Sequence, residues 1–236
     1  MNQFIHKGED KKQFVRKMFD EISGTYDFLN KLLSLGVDAR WRKQFISQIN
    51  IKNNAKILDL ATGTGDIAIK ISKMNLVQVI GLDYSPKMID QANLKKKNMN
   101  IKNINFMVGD AEKLPFEDGE FDVLTISFGL RNLGFYSEAF KEFFRVLKPG
   151  GSLHILEFFP SDKNFFSLIF SFYFKNILPA IGSFFSGTKA YHYLPESVDN
   201  FLSKHQLENL LKEANFTDIE NKDMTFGICT SFKATK

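Results

Sequence analysis

The run Ile57-Leu-Asp-Leu-Ala-Thr-Gly-Thr-Gly-Asp66 places two glycines directly behind a short β-rich stretch. With no Cβ, Gly63 and Gly65 let the backbone pass close to a ligand. Asp83 closes the next β-rich stretch, Gln78-Val-Ile-Gly-Leu-Asp83. A carboxylate at that place can accept hydrogen bonds from both ribose hydroxyls of a nucleoside. A third stretch, Ile104-Asn-Phe-Met-Val108, runs into Gly109-Asp110-Ala111-Glu112. Asp110 is suited to accept from an adenine amino group, and Ala111 to offer a backbone N–H. The chemistry these residues share is the holding of an adenosine-like group.

Such residues converge only if the elements carrying them lie side by side. The stretches at 56–60, 78–83, 104–108, 121–127 and 152–158 read as strands, and the segments between several of them read as helices. Ser85-Pro86 starts a helix with its cap and its first residue. A helix over 136–147 stops at Lys148-Pro149-Gly150-Gly151. Alternating strands and helices mean βαβ units and a parallel sheet, whose ligands bind at the carboxyl ends of the strands. The first 50 residues read as three helices: Phe14, Met18, Phe19 and Ile22 recur at helical spacing, as do Phe28, Leu29, Leu32 and Leu33. Asp38 is expected to cap the third. After a Phe-rich stretch at 159–200 come a helix at about 203–214 and strands near 217–220 and 225–232, expected to form an antiparallel hairpin at the sheet edge.

Gly63-Thr-Gly65-Asp-Ile-Ala68 also satisfies the dinucleotide fingerprint of dehydrogenases. Two features point elsewhere. The Asp110-Ala111 pair lies where nucleoside methyltransferases contact adenine, and Arg145-Val-Leu-Lys-Pro-Gly-Gly151 is punctuation common in that superfamily. A hydride-site Tyr-x-x-x-Lys pair is absent from the sequence.

Four blocks resemble one family: Met18-Phe-Asp-Glu-Ile-Ser-Gly-Thr-Tyr-Asp27, Leu58-Asp-Leu-Ala-Thr-Gly-Thr-Gly-Asp66, Ile126-Ser-Phe-Gly-Leu-Arg-Asn132 and Arg145-Val-Leu-Lys-Pro-Gly-Gly151. They are similar to the ubiquinone/menaquinone biosynthesis C-methyltransferases, from about residue 14 to the C-terminus. The Ser-Phe-Gly-Leu-Arg-Asn block is the most specific. The resemblance implies a class I S-adenosylmethionine-dependent methyltransferase of α/β, Rossmann-like fold. Its sheet would be seven-stranded and mostly parallel, closed by the C-terminal hairpin. The implied layout is a single domain, with a helical lid at about 10–50 and a Phe-rich helical insert at about 159–200.

The cofactor implied is S-adenosyl-L-methionine, with contacts falling on Thr64, Asp83, Asp110, Ala111 and Ser127 beside Gly63 and Gly65. Thr62 stands where the family commonly has glycine, a departure expected to matter little. The implied reaction puts a methyl group on a ring carbon of a polyprenylated quinol. A phenol of pKa about 10 must be helped toward phenolate. Arg131 is cast as an electrostatic stabiliser, since a guanidinium is a poor base, and Asn132 as the group that orients the ring hydroxyl. Tyr26 from the lid, and Tyr191, His192 and Tyr193 from the far side, are expected to line the substrate. Blander readings stand beside these: Arg131 as ion-pair partner of Asp27 or Glu157, Asp59 as organiser of the turn, Trp41 as core, and His192 as surface.

Composition narrows the rest. The chain has 236 residues, a net charge of +4 and one cysteine, Cys229. That excludes an intrachain disulfide framework and a cysteine-based zinc site. No HExxH spacing marks a metal site. Lys95, Lys96 and Lys97 are expected on a solvated helix end. No Asn/Asp-Pro-Pro-Tyr/Phe motif supports a nucleic-acid substrate. No apolar N-terminal stretch resembles a secretory signal, and none is long enough to span a bilayer, so a cytoplasmic protein is expected. Phe165 to Phe174, ten residues without charge, leave peripheral membrane contact open, as they leave a buried helix or an apolar wall for a prenyl tail. Self-association is also left open. Two other functions compete: methylation of another small molecule, and a non-catalytic cofactor-binding subunit of a quinone-synthesis complex.

Overall fold

The computed structural model describes residues 7–74, 76–160, 172–186 and 190–236. The chain opens with α1 (Gly8–Ile22), α2 (Tyr26–Leu33) and α3 (Val37–Ser47). There follow β1 (Lys56–Leu60), α4 (Asp66–Ile71), β2 (Gln78–Asp83), α5 (Pro86–Asn98), β3 (Ile104–Val108) and β4 (Phe121–Ser127). A 3₁₀ turn at Leu130–Asn132 leads to α6 (Tyr136–Val146) and β5 (Leu147–Glu157). A π-helical turn at Tyr173–Ile177 continues into α7 (Leu178–Ser186), and α8 (Ala190–Asp199), α9 (Lys204–Glu213), β6 (Thr217–Met224) and β7 (Cys229–Thr235) complete the fold.

The seven strands lie in the order β3-β2-β1-β4-β5-β7-β6. The pairs from β3 through β5 are parallel, and β7 is antiparallel to both of its neighbours. The central strands β1 and β4 are almost wholly buried because helices cover both faces of the sheet, whereas the edge strand β6 is polar and mostly exposed. Phe140, Phe143, Leu207, Leu211 and Phe232 fill one face. Phe45, Ile71, Ile89 and Ala92 fill the other. The chain order reverses between β1 and β4, and the crevice at such a switch point is where open α/β sheets bind ligands.

The local signals mostly act as expected. Ser85 Oγ accepts from the Met88 N–H at 3.1 Å and Pro86 begins α5. Three expectations need correction. Asp38 does not cap α3; Gly36, at φ 78°, holds that place. Asp38 instead accepts from the Ser34 hydroxyl at 2.7 Å and pairs with Arg42 at 3.2 Å. The Lys-Pro-Gly-Gly segment ends α6 but already belongs to β5, where Leu147 pairs with Phe121 across a register shift. β6 runs four residues longer than expected and β7 starts and ends later, although the two pair as the expected antiparallel hairpin at the sheet edge, with β7 beside β5 and β6 outermost. Among the described residues no helix is long and apolar enough to cross a membrane. The expected apolar run Phe165 to Phe174 falls largely outside the described residues.

Candidate active site

The carboxyl ends of β1 to β4 bring the sequence-marked residues to one crevice of about 700 Å³. It is lined by Gly63, Asp83, Asp110, Ala111, Ser127 and Asn132, with Lys12, Val15, Phe19 and Tyr26 reaching in from α1 and α2. At its floor the Gly63 N–H donates to Asp83 Oδ2 at 2.7 Å, and the Ser85 N–H to Oδ1 at 2.9 Å. Burial pushes the Asp83 carboxyl up to about 6, against the pull of these bonds. Asp110 Oδ1 accepts from the Glu112 N–H at 2.9 Å, and its Oδ2 meets Lys12 Nζ at 2.5 Å. Ser127 Oγ is buried without a hydrogen-bond partner. An orphaned hydroxyl costs free energy unless a ligand satisfies it. A crevice with the carboxylates of Asp83, Asp110 and Glu112, a free hydroxyl and an apolar wall fits an adenosine-like cofactor.

Two glycine-motif residues stand apart from that crevice. Gly65 does not line it. Its φ is 84°, and a Cβ there would lie 2.6 Å from Phe106 Cζ, so this glycine serves close packing of the turn on β3. The Thr64 hydroxyl points to α2 and donates to Asp27 Oδ1 at 2.6 Å. Lys95 Nζ, expected in solvent, donates to Thr64 Oγ1 at 2.8 Å and pairs with Asp27 at 2.5 Å and Asp66 at 2.8 Å. Arg42 closes the same network onto Asp66 at 2.6 Å. Together these charges tie α2 and α3 to the glycine-rich turn. Beneath it Asp59 accepts from Thr62 Oγ1 at 2.5 Å and Thr125 Oγ1 at 2.6 Å, as a turn organiser would. Burial raises its carboxyl to about 6. Thr62 thus has a structural role that sequence reasoning had dismissed.

A second, larger cleft of about 900 Å³, open space at its mouth included, lies next to the first. Phe19, Tyr26 and Phe128 line both. Trp41, Phe158, Tyr173, Tyr191 and Tyr193 add further aromatic walls. Phe128 sits at φ 58°. The next residue must be small, since a Cβ at Gly129 would lie 2.4 Å from Ala61 Cβ. That contact explains the glycine in the Ser-Phe-Gly-Leu-Arg-Asn block. Arg131 lines this aromatic cleft, whereas Asn132 lines the crevice beside Asp83 and Asp110.

Arg131 is 6% exposed and pairs with the fully buried Glu157 at 2.5 Å. Its Nη1 also donates to the Phe128 carbonyl at 2.8 Å, and its Nε to Ser197 Oγ at 3.2 Å. Of the two ion-pair partners considered, Glu157 is the actual one. Tyr193 donates to Asn132 Oδ1 at 3.2 Å, linking the two cavities. Tyr26 is half-buried in the shared wall, and the loss of solvent around its hydroxyl raises its phenol. His192 is exposed and faces a separate surface depression with Lys175 and Asp199, so it leaves the site. Neighbouring Tyr191 and Tyr193 turn inward instead. No group of His, Cys, Asp and Glu among the described residues could hold a metal. Lys12 was missed by sequence reasoning and Lys95 was placed in solvent, because a charged residue on a helix carries no local sign of its partner.

Known proteins match this arrangement. Residues 6–236 match the model of the ubiE/COQ5 methyltransferase family. The ubiquinone/menaquinone biosynthesis C-methyltransferase UbiE of Citrifermentans bemidjiense is 40% identical over 230 residues, covering 96% of this chain and 98% of that one. The demethylmenaquinone methyltransferase of Chlorobaculum parvum is 43% identical over 227 residues, covering 94% and 92%. Among solved structures, the [4+2]-cyclase SpnF superposes with a TM-score of 0.72 over 98% of both chains, at 17% identity. Phosphoethanolamine N-methyltransferase 2 of Haemonchus contortus, solved with S-adenosyl-L-methionine, gives 0.64 over 83% of this chain and 52% of that one, at 18% identity. At those identities the likeness is one of fold, and a cyclase among the matches makes plain that fold does not fix the reaction. The matching family model and the near-full-length relatives do fix the family: this chain belongs to the ubiE/COQ5 methyltransferase family.

Proposed function

We propose that this enzyme transfers a methyl group from S-adenosyl-L-methionine to a ring carbon of a polyprenylated quinol. The product of that step is menaquinol, or the matching benzoquinol of ubiquinone synthesis. The observation that carries this reading is the pair of joined cavities, one polar and carboxylate-lined, the other aromatic, sharing Phe19, Tyr26 and Phe128. Named relatives over nearly the whole chain support the same chemistry. When bound, the cofactor supplies an electrophilic methyl group on a sulfonium centre.

In this reading Asp83 accepts from the ribose hydroxyls, Asp110 and the Ala111 N–H hold the adenine, and Ser127 Oγ supplies a further hydrogen bond. The aromatic cleft holds the ring flat and keeps water from it. The charge of Arg131 is balanced by Glu157. Its contribution at the ring is therefore an oriented set of N–H groups rather than a free cation. Such donors favour the phenolate over the phenol without themselves taking the proton, which passes to solvent at the cleft mouth. The ring hydrogen replaced by the methyl group then returns to the phenolate oxygen, so one proton is released per turnover. Proximity of the held ring to the held methyl group does the rest.

The deciding assay is methyl transfer by purified protein to a short-tail demethylmenaquinol kept reduced, beside the matching benzoquinol. Product from either establishes the reaction and shows which head group is accepted. No product from both, with cofactor binding confirmed by calorimetry, moves the substrate to another small molecule or makes the chain a binding subunit.

The tail of such a substrate resides in lipid, and the cleft rim is apolar. Phe28, Leu32 and Leu35 at α2, and Phe172 and Ile177 at the π-helical turn, are exposed. The two segments adjoin, since Tyr173 donates to the Leu33 carbonyl at 2.5 Å. In this reading the rim rests on the membrane surface and the tail leaves through it. Leu35→Asp is expected to lower flotation with liposomes while leaving cofactor affinity unchanged. Equal flotation of both proteins would remove the rim from membrane contact.

A further inference from the structure

The aromatic cleft contains several polar side chains, and nearly all are already engaged. Asp38 is held by Ser34 and Arg42, and Arg42 by Asp38 and Asp66. Tyr26 bonds Asn30. Tyr173 bonds the Leu33 carbonyl, Tyr193 bonds Asn132, and Arg131 bonds Glu157, Phe128 and Ser197. Tyr191 differs. It is 5% exposed and lines the cleft, yet its hydroxyl has no hydrogen-bond partner. Among the described residues lining the cleft, it is the one with a buried polar side-chain atom left unsatisfied.

The ring of Tyr191 is also held in place. A Cβ at Gly182 of α7 would lie 2.3 Å from Tyr191 Cγ, so the tyrosine packs on backbone that only glycine can present. A buried hydroxyl without a partner destabilises the free protein. Phenylalanine would fill the same space without that cost. A quinol carries a second ring oxygen, remote from the carbon that is methylated. That oxygen also needs a hydrogen-bond partner once it leaves water.

Resting on the quinol reading above, we infer that the Tyr191 hydroxyl donates a hydrogen bond to the substrate ring oxygen remote from the methylated carbon, and so sets which way round the ring lies in the cleft. Burial raises the Tyr191 phenol well above the ordinary tyrosine value, so it stays protonated and able to donate across the working pH range. A site that hydrogen-bonds a substrate oxygen rejects analogues lacking it, because its own group is then left unpaired. Tyr191 is thereby a residue of specificity as well as of orientation.

The test pairs Tyr191→Phe with two substrates. One is short-tail demethylmenaquinol. The other is a prenylated naphthol that keeps the hydroxyl beside the acceptor carbon and lacks the remote one. The wild type is expected to prefer the quinol by about tenfold or more in kcat/KM, a preference Tyr191→Phe loses. The KM for S-adenosyl-L-methionine should not move, and the melting temperature should hold or rise. Equal preference in the two proteins overturns the assignment of Tyr191 alone. A clear fall in melting temperature also overturns the account of an unpartnered hydroxyl. Absence of quinol methylation by the wild type overturns the quinol reading and this inference with it.

Discussion

Asp83 unites the two properties that matter at the level of a single residue: a place at the end of β2 and a carboxyl raised by burial to about 6. A carboxyl with a raised folded value holds its proton more firmly in the folded chain. Its unfavourable contribution to folding is fully present above about 6 and is relieved as pH falls through that value. In the proposed site cofactor affinity moves the other way, because there the ribose hydroxyls would donate to the carboxylate. Affinity should be full above about pH 6 and fall about tenfold per unit below it. Asp83→Asn should bind more weakly and with a flatter profile from pH 7 to pH 5. A wild-type calorimetric affinity that holds constant over that range would remove Asp83 from the ribose. Asp83 was legible from sequence because its position after a β-rich stretch is a local feature. The pairing of Asp110 with Lys12 was not, since it joins residues far apart in the chain.

Among the elements, α1 and α2 depend on charges supplied by the sheet side. Lys95 on α5 holds Asp27 of α2, Thr64 of the turn and Asp66 of α4 at one ammonium group. Its side chain is 23% exposed, so each pair is partly screened and the stability at stake is about 1 kcal/mol. The larger consequence falls on the placement of α2. Lys95→Met should lower hydrogen-exchange protection of α2 and raise the KM for cofactor several-fold, with little change in urea midpoint. Unaltered protection in α2 would show that apolar packing of Leu29 and Leu33 holds the helix without the clasp. Helices and strands themselves were largely readable, with β2, β3 and β4 falling at the expected residues. The start of α3 was misplaced because Asp38 has the residue type of a cap, while the chain uses Gly36 in a left-handed conformation.

At the scale of the molecule, the Arg131–Glu157 pair joins the turn after β4 to the end of β5 at the wall of the aromatic cleft. Removing one partner of a buried pair leaves the other charge without compensation, at a cost of about 3–5 kcal/mol. Arg131→Ala should therefore lose that much stability in urea unfolding as well as turnover. A loss below about 1 kcal/mol would show that Glu157 finds another partner. Reading turnover alone in that variant would confuse loss of fold with loss of chemistry. Comparison with Arg131→Lys, which keeps the charge but not the planar fork, separates the two.

The sequence by itself determined the parallel sheet, the nucleoside-binding crevice and the family. Each rests on local patterns: apolar strands, a glycine-rich turn, acids at strand ends and contiguous motif blocks. Tertiary structure alone decided which charges meet. It removed His192 from the site while keeping Tyr191 and Tyr193, because Tyr191 packs on Gly182 of α7 and Tyr193 on Phe14 of α1, whereas His192 between them lies exposed. It tied Arg131 to Glu157 and put Lys95 to work on α2. It also left the Tyr191 hydroxyl without a partner in an aromatic cleft. An unsatisfied atom is a property of everything around it, and no stretch of sequence carries that information.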